Sequence, residues 1–191
     1  IASVKSSRID VGHVGVFRAL AAAAGLPEEI EGYLFEALQR KARSQVEALL
    51  ARSTAPAGIK AMLAALADLN GGAETLIQAR ALLKGAPRAV QDALENLESV
   101  ANGVMHLGAP VYFDLAELRG YRYYTGVVFS AFVPGQGQAV AQGGRYDGIG
   151  RAFGRARAAT GFSTDLRRLL RLSGLAHCGA LGVGGGLLGV A

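Results

Sequence analysis

Hydrophobic residues along this chain change their spacing twice. Residues 9–17 alternate weakly, which predicts a buried strand ending at Phe17. From Arg18 to Ala24 the period turns helical, and Gly25 stops it. Pro27-Glu28-Glu29 opens the next helix, with proline in the first turn and acids beside the positive end of the dipole. That helix is predicted to run to Arg52, with Ile30, Leu34, Ala37, Leu38, Ala42, Val46 and Leu49 on one face. Pro56 opens another, which Asn70-Gly71-Gly72 ends. Ala73 to Lys84 forms a third, closed by Gly85. Pro87 to His106 forms a fourth, with Val90, Leu94, Leu97 and Val100 at helical spacing.

From Pro110 the period shortens to two. Val111 to Leu115 reads as a strand and Tyr123 to Val133 as a longer one. Pro134-Gly135-Gln136-Gly137 turns the chain, and Gln138 to Gln142 returns as the second arm of a hairpin. Residues 161–172 read as a strand end followed by a helix. Helices and strands segregated in this way predict an α+β class with an antiparallel sheet.

Size and composition narrow the class. A chain of 191 residues, half of them hydrophobic, has enough material for one sizeable core and lies far from disordered compositions. The single cysteine, Cys178, rules out a disulfide within the chain and fits a reducing cytoplasm. His13, His106 and His177 lie far apart with no paired ligand spacing, so no metal site is expected. Ile1 to Lys5 lacks the apolar core of a signal peptide, and the apolar tail is short, glycine-rich and broken by His177, a poor membrane span. The net charge is +5, and residues 145–171 alone carry seven arginines against Asp147 and Asp165. Only Phe153 interleaves with Arg151, Arg155 and Arg157, so the patch reads as solvated or partner-facing rather than as a surface that binds nucleic acid. Residues 26–107 show no catalytic constellation.

Two short stretches carry the candidate chemistry. One is Arg119-Gly120-Tyr121-Arg122-Tyr123-Tyr124-Thr125-Gly126. The other is Gly143-Gly144-Arg145-Tyr146-Asp147-Gly148. Arginine offers a planar fork of donors for a carboxylate or phosphate, and tyrosine an aromatic wall with a polar tip. Glycine lets the backbone come close to a ligand. Together they suggest a pocket for a small zwitterion such as an amino acid. Each residue also has a plainer reading. Arg119 could pair with Asp114 or Glu117, Asp147 with Arg145, and Gly143-Gly144 could be a bulge. On a strand only one of Tyr123 and Tyr124 points inward, and Tyr124 is the one retained here.

In order and spacing these stretches resemble the two histidine-recognition signatures of the histidyl-tRNA synthetases, a class II synthetase family. Gly161-Phe162-Ser163-Thr164-Asp165-Leu166-Arg167-Arg168-Leu169 resembles that family's third motif, a strand leading into a helix that bears an ATP-contacting arginine. The resemblance implies a class II synthetase-like antiparallel sheet with flanking helices and a helical insert. It divides the chain into part of the core (1–25), the helical insert (26–107), the core with the histidine signatures (108–172) and a glycine-rich tail (173–191). It implies a histidine site at Arg119, Tyr124, Gly143, Gly144 and Tyr146, with Arg119 facing the amino-acid carboxylate and Tyr124 the imidazole. Because the family's first two motifs would lie upstream of residue 1, the chain is read as part of a longer protein.

Departures point to one branch. Arg122 stands where the synthetases carry an aspartate. Asp165 stands where they carry a small glycine, and a carboxylate there would repel a nucleotide phosphate. Arg168 is accordingly read as a helix-surface residue. Asp10 to Leu20 and Ala139 to Leu166 are similar to the regulatory subunits of ATP phosphoribosyltransferase, synthetase paralogues without aminoacylation. That likeness implies no catalysis and no cofactor. The implied role is as a partner of the short catalytic subunit in the first step of histidine biosynthesis, with L-histidine as effector, self-association and a cytoplasmic location. The alternative is a catalytic-core fragment of a histidyl-tRNA synthetase. A general RNA-binding module rests on the arginine cluster alone.

Overall fold

The structure is a computed structural model and describes residues 8–104, 110–148, 150 and 154–172. Strand β1 (Arg8–His13) leads directly into helix α1 (Val14–Ala24), four residues earlier than the alternation suggests. His13 makes the switch. Its backbone is still extended, and its Nδ1 accepts a hydrogen bond from the Gly15 N–H at 3.0 Å, which caps the helix. Val14, Val16 and Phe17 are all buried, so a helix packed on several sides imitates a strand's run of apolar residues. Gly25 ends α1 in the left-handed conformation (φ 61°), as its position predicts.

Helix α2 (Glu28–Gln39) and helix α3 (Arg43–Ala51) replace the single helix expected to reach Arg52. The break is a Schellman-type cap. Lys41 N–H bonds the Leu38 carbonyl and Ala42 N–H the Ala37 carbonyl, each at 2.9 Å, with Lys41 left-handed at φ 54°. The Lys41 ammonium is held by Asp114. Leu38 and Val46 are buried on either side of the break, so the apolar period runs through it unmarked.

Helix α4 (Ala57–Ala65) is followed by a two-residue strand β2 (Asn70–Gly71). Thus Asn70-Gly71-Gly72 does more than end a helix. Helices α5 (Glu74–Leu82) and α6 (Arg88–Val104) fall where predicted. His106 lies outside the described residues, as do Arg151, Phe153 and the tail 173–191.

Four strands complete the sheet: β3 (Val111–Asp114), β4 (Val127–Phe132), β5 (Ala141–Arg145) and β6 (Thr160–Thr164), followed by helix α7 (Leu166–Leu172). The predicted strand Tyr123–Val133 starts late because residues 120–124 close a turn on Gly120, whose carbonyl takes the N–H groups of Tyr123 and Tyr124 at 2.7 and 2.8 Å. The return arm is shifted to β5, and Gly143-Gly144 pair in regular register without a bulge. The sheet order is β2-β3-β1-β4-β5-β6, antiparallel except for the parallel pair β1 and β3. Helices cover one side of this sheet, where Phe17, Leu20, Leu94, Leu97, Val11 and Phe113 form part of a continuous core. Each such buried Leu or Phe contributes about 2 kcal/mol. Among the described residues no helix is long and apolar enough to cross a membrane.

Candidate functional site

The side of the sheet away from the helices is built from two rows of paired residues. Gly12, Val128, Gly144 and Gly161 form one row across β1, β4, β5 and β6. Asp10, Ser130, Gln142 and Ser163 form the next, with Tyr112 joining from β3. Paired residues share a face, so one row is a trough with little side chain and the other a polar ridge.

Three side chains lie in the trough. Glu117 crosses Gly12, where a Cβ would come within 2.9 Å of the glutamate Cβ. The Tyr124 ring covers Gly144, with a Cβ there 2.9 Å from the ring and 2.5 Å from the Val127 carbonyl. The same ring lies against Gly120, so two glycines hold it between them. The Tyr146 hydroxyl rests over Gly161. Tyr123 completes an aromatic group, 5.2 Å from Tyr124 edge-on and 5.0 Å from Tyr146, with Tyr124 and Tyr146 6.3 Å apart. Burial, and then the Tyr123 and Tyr146 phenols, push the Tyr124 hydroxyl above its usual range, which keeps it a proton-bearing donor.

Arg119 stands on the same side, 5.4 Å over the Phe132 ring. Its Nη2 pairs with Glu117 at 3.0 Å and its Nε donates to the same carboxylate at 3.1 Å. The ion pair with Glu117 is therefore the arrangement observed. Glu117 is buried, and Arg119 is half-exposed at a cleft of about 560 Å³ shared with Phe132, Gln142, Ser163 and Asp165. Among the described residues nothing engages the guanidinium Nη1.

Tyr124, Tyr146 and Gly144 thus come together, with Arg119 farther along the same face. Two expectations need correction. Gly143 points to the helical side of the sheet, against the Gly161 backbone and Phe162, because neighbours on a strand face opposite ways. Tyr123 is half-exposed yet belongs to the ring group, because the chain at Tyr123 and Tyr124 is a turn and strand alternation does not apply. Glu117, Ser130, Gln142 and Ser163 escaped notice as site residues. A serine inside the apolar run Val127–Phe132 was the one available hint, and it is 2 % exposed.

The flanking charges are local staples. Arg145 pairs with Asp147 at 2.9 Å, and that guanidinium, ahead of the Ala159 N–H, holds the Asp147 carboxyl below its ordinary range. Asp147 N–H in turn donates to the Thr125 hydroxyl at 3.0 Å, which fixes Tyr146 between them. Arg122 is exposed, and its guanidinium lies 3.9 Å from the Glu28 carboxylate. The Asp165 carboxylate accepts the Arg167 and Arg168 N–H groups at 2.9 and 3.2 Å, capping α7. Arg168 itself bonds the Ala139 carbonyl and the Gln138 side chain, each at 3.3 Å. Among the described residues no cluster of His, Cys, Asp and Glu could hold a metal ion.

Residues 1–169 match the profile of the family described as histidyl-tRNA synthetase. An ATP phosphoribosyltransferase regulatory subunit of Pseudomonas aeruginosa is 58% identical over 90% of this chain and 44% of its own length. The protein of that name from Azotobacter vinelandii is 56% identical over 91% of this chain and 44% of its own. The chain therefore spans less than half the length of these relatives. Among solved structures, an ATP phosphoribosyltransferase regulatory subunit/histidyl-tRNA synthetase from Bacillus halodurans superposes with a TM-score of 0.77. It is 28% identical, over 88% of this chain and 45% of that one.

Proposed function

The chain belongs to the histidyl-tRNA synthetase family, and from that premise we propose that it is part of a non-catalytic regulatory subunit of ATP phosphoribosyltransferase. The whole protein would act in the cytoplasm, in complex with the short catalytic subunit, in the first step of histidine biosynthesis. The observation that carries this reading is the state of the third motif. Asp165 fills the start of α7 with its own carboxylate, and Arg168 is tied to Ala139 and Gln138. A nucleotide phosphate would meet a negative charge where a synthetase needs a positive one. The identity to regulatory subunits of two bacteria supports the same branch.

The polar face suits L-histidine as effector. Arg119 offers its guanidinium Nη1 to the ligand carboxylate, Glu117 a buried carboxylate to the ammonium, and Tyr124 and Tyr146 hydroxyls to the imidazole. Gly144 leaves room for that arrangement. Histidine regulates only as far as it binds one state of the complex better than another. The helices between Glu28 and Val104 share one core with the sheet, and Asn70–Gly71 adds its edge strand.

The deciding experiment measures phosphoribosyl transfer to ATP by a short-form catalytic subunit, with and without the full-length protein, while histidine is titrated. Activity should require both chains and fall as histidine rises. Arg119→Ala should raise the half-inhibiting histidine concentration at least about tenfold, about 1.4 kcal/mol of lost binding. Histidine-dependent exchange of pyrophosphate into ATP should be absent. Its presence would instead assign the chain to an active synthetase.

A further inference from the structure

The turn that displays Arg119, Tyr123 and Tyr124 closes on the Leu118 and Gly120 carbonyls, and a residue on a distant element holds its outward carbonyls. Arg18, in the middle of α1, donates from Nη2 to the Tyr121 carbonyl at 2.7 Å and to the Tyr124 carbonyl at 3.1 Å. Its guanidinium carbon also stands 4.9 Å over the Tyr121 ring. Helix α1 is a firm base, capped at both ends and buried through Phe17 and Leu20. The Tyr121 ring in turn packs on Phe17 at 5.3 Å and Phe35 at 5.5 Å, and its hydroxyl is bonded to Glu31. One side chain thus grips both ends of the four-residue arc 121–124 and covers the ring between them.

We propose that Arg18 is the positioning residue of the histidine site, fixing the arc so that the Tyr124 ring lies over Gly144 and Arg119 stands at the cleft. It acts on the site through the two backbone carbonyls. Lysine cannot replace it fully, since an ammonium lacks the flat fork that bonds carbonyls while stacking on a ring. The inference rests on the reading of this face as a histidine site, and the experiment separates the two.

Amide hydrogen exchange on the full-length protein reads the arc directly, because the N–H groups of Tyr121, Tyr123 and Tyr124 are bonded to the Leu118 and Gly120 carbonyls just before it. In Arg18→Met these amides should exchange at least about tenfold faster, with α1 and β4 at wild-type rates. Arg18→Lys should fall between, and calorimetric titration should show histidine affinity lowered in the same order, by about tenfold for Arg18→Met. Unchanged exchange in the arc would overturn the proposal. So would a uniform rise across the sheet in both variants, which would make Arg18 a general stabiliser. If the wild-type protein bound no histidine, the histidine reading would fall, and the exchange comparison would still decide the role of Arg18.

Discussion

The Tyr124 ring lies between two glycines, so the site depends on an atom that is missing. In Gly144→Ala the new methyl would press on both the ring and the Val127 carbonyl, and the carbonyl cannot yield. Stability should fall by about 1–3 kcal/mol, as in other overpacked positions, and histidine affinity should fall with it. Thermal melts and titration on the same sample check both. His13 makes a second prediction. Burial, and then the Arg18 charge, lower its pKa from 6.5 to about 4. The unfolded chain therefore takes up the proton first, and the native state loses stability as pH falls from about 6.5 through about 4. At about 1.4 kcal/mol for each tenfold, that loss approaches roughly 3 kcal/mol. His13→Asn keeps a capping side chain without the titration, so its urea-unfolding profile should be flatter across that range.

Local chemistry at the ends of elements was legible where a single residue type decides it. Gly25 announces the end of α1, and its positive φ explains why. Gly25→Ala should cost about 1 kcal/mol in urea unfolding, since a Cβ disfavours that conformation although nothing crowds it. The Lys41 break gave no such signal. Its left-handed residue is not glycine, and Asp114, more than seventy residues away, supplies the compensating bond. The start of β4 was misplaced for a related reason. Tyr121-Arg122-Tyr123-Tyr124 has strand-like composition, while Arg18 and Gly120 hold it as a turn. Arg119, Tyr124 and Tyr146 could be named as candidates from residue type and motif order. Gln142 could not, because its place comes from register across strands, and Glu117 could not, because the turn after β3 folds it over Gly12; a linear pattern contains neither.

At the scale of the molecule, one sheet separates two tasks. The helical side supplies cohesion, and α6 contributes Val90, Leu94 and Leu97 to it. Leu94→Ala should therefore cost about 2–5 kcal/mol in unfolding free energy. Histidine affinity should stay unchanged at temperatures where the variant remains folded, which titration below its melting range would verify. The order of strands has a further consequence. β1 lies between β3 and β4, and Ile9 pairs with Val111 on one side and Ala131 on the other. Roughly a hundred residues must therefore be made before β1 finds either neighbour, with a matching loop-closure entropy. During synthesis the helices α1 to α6 between β1 and β3 can condense by local contacts, while β1 waits with its edges open. Such a topology folds slowly and leaves β1 open to aggregation until residues 111–132 have left the ribosome.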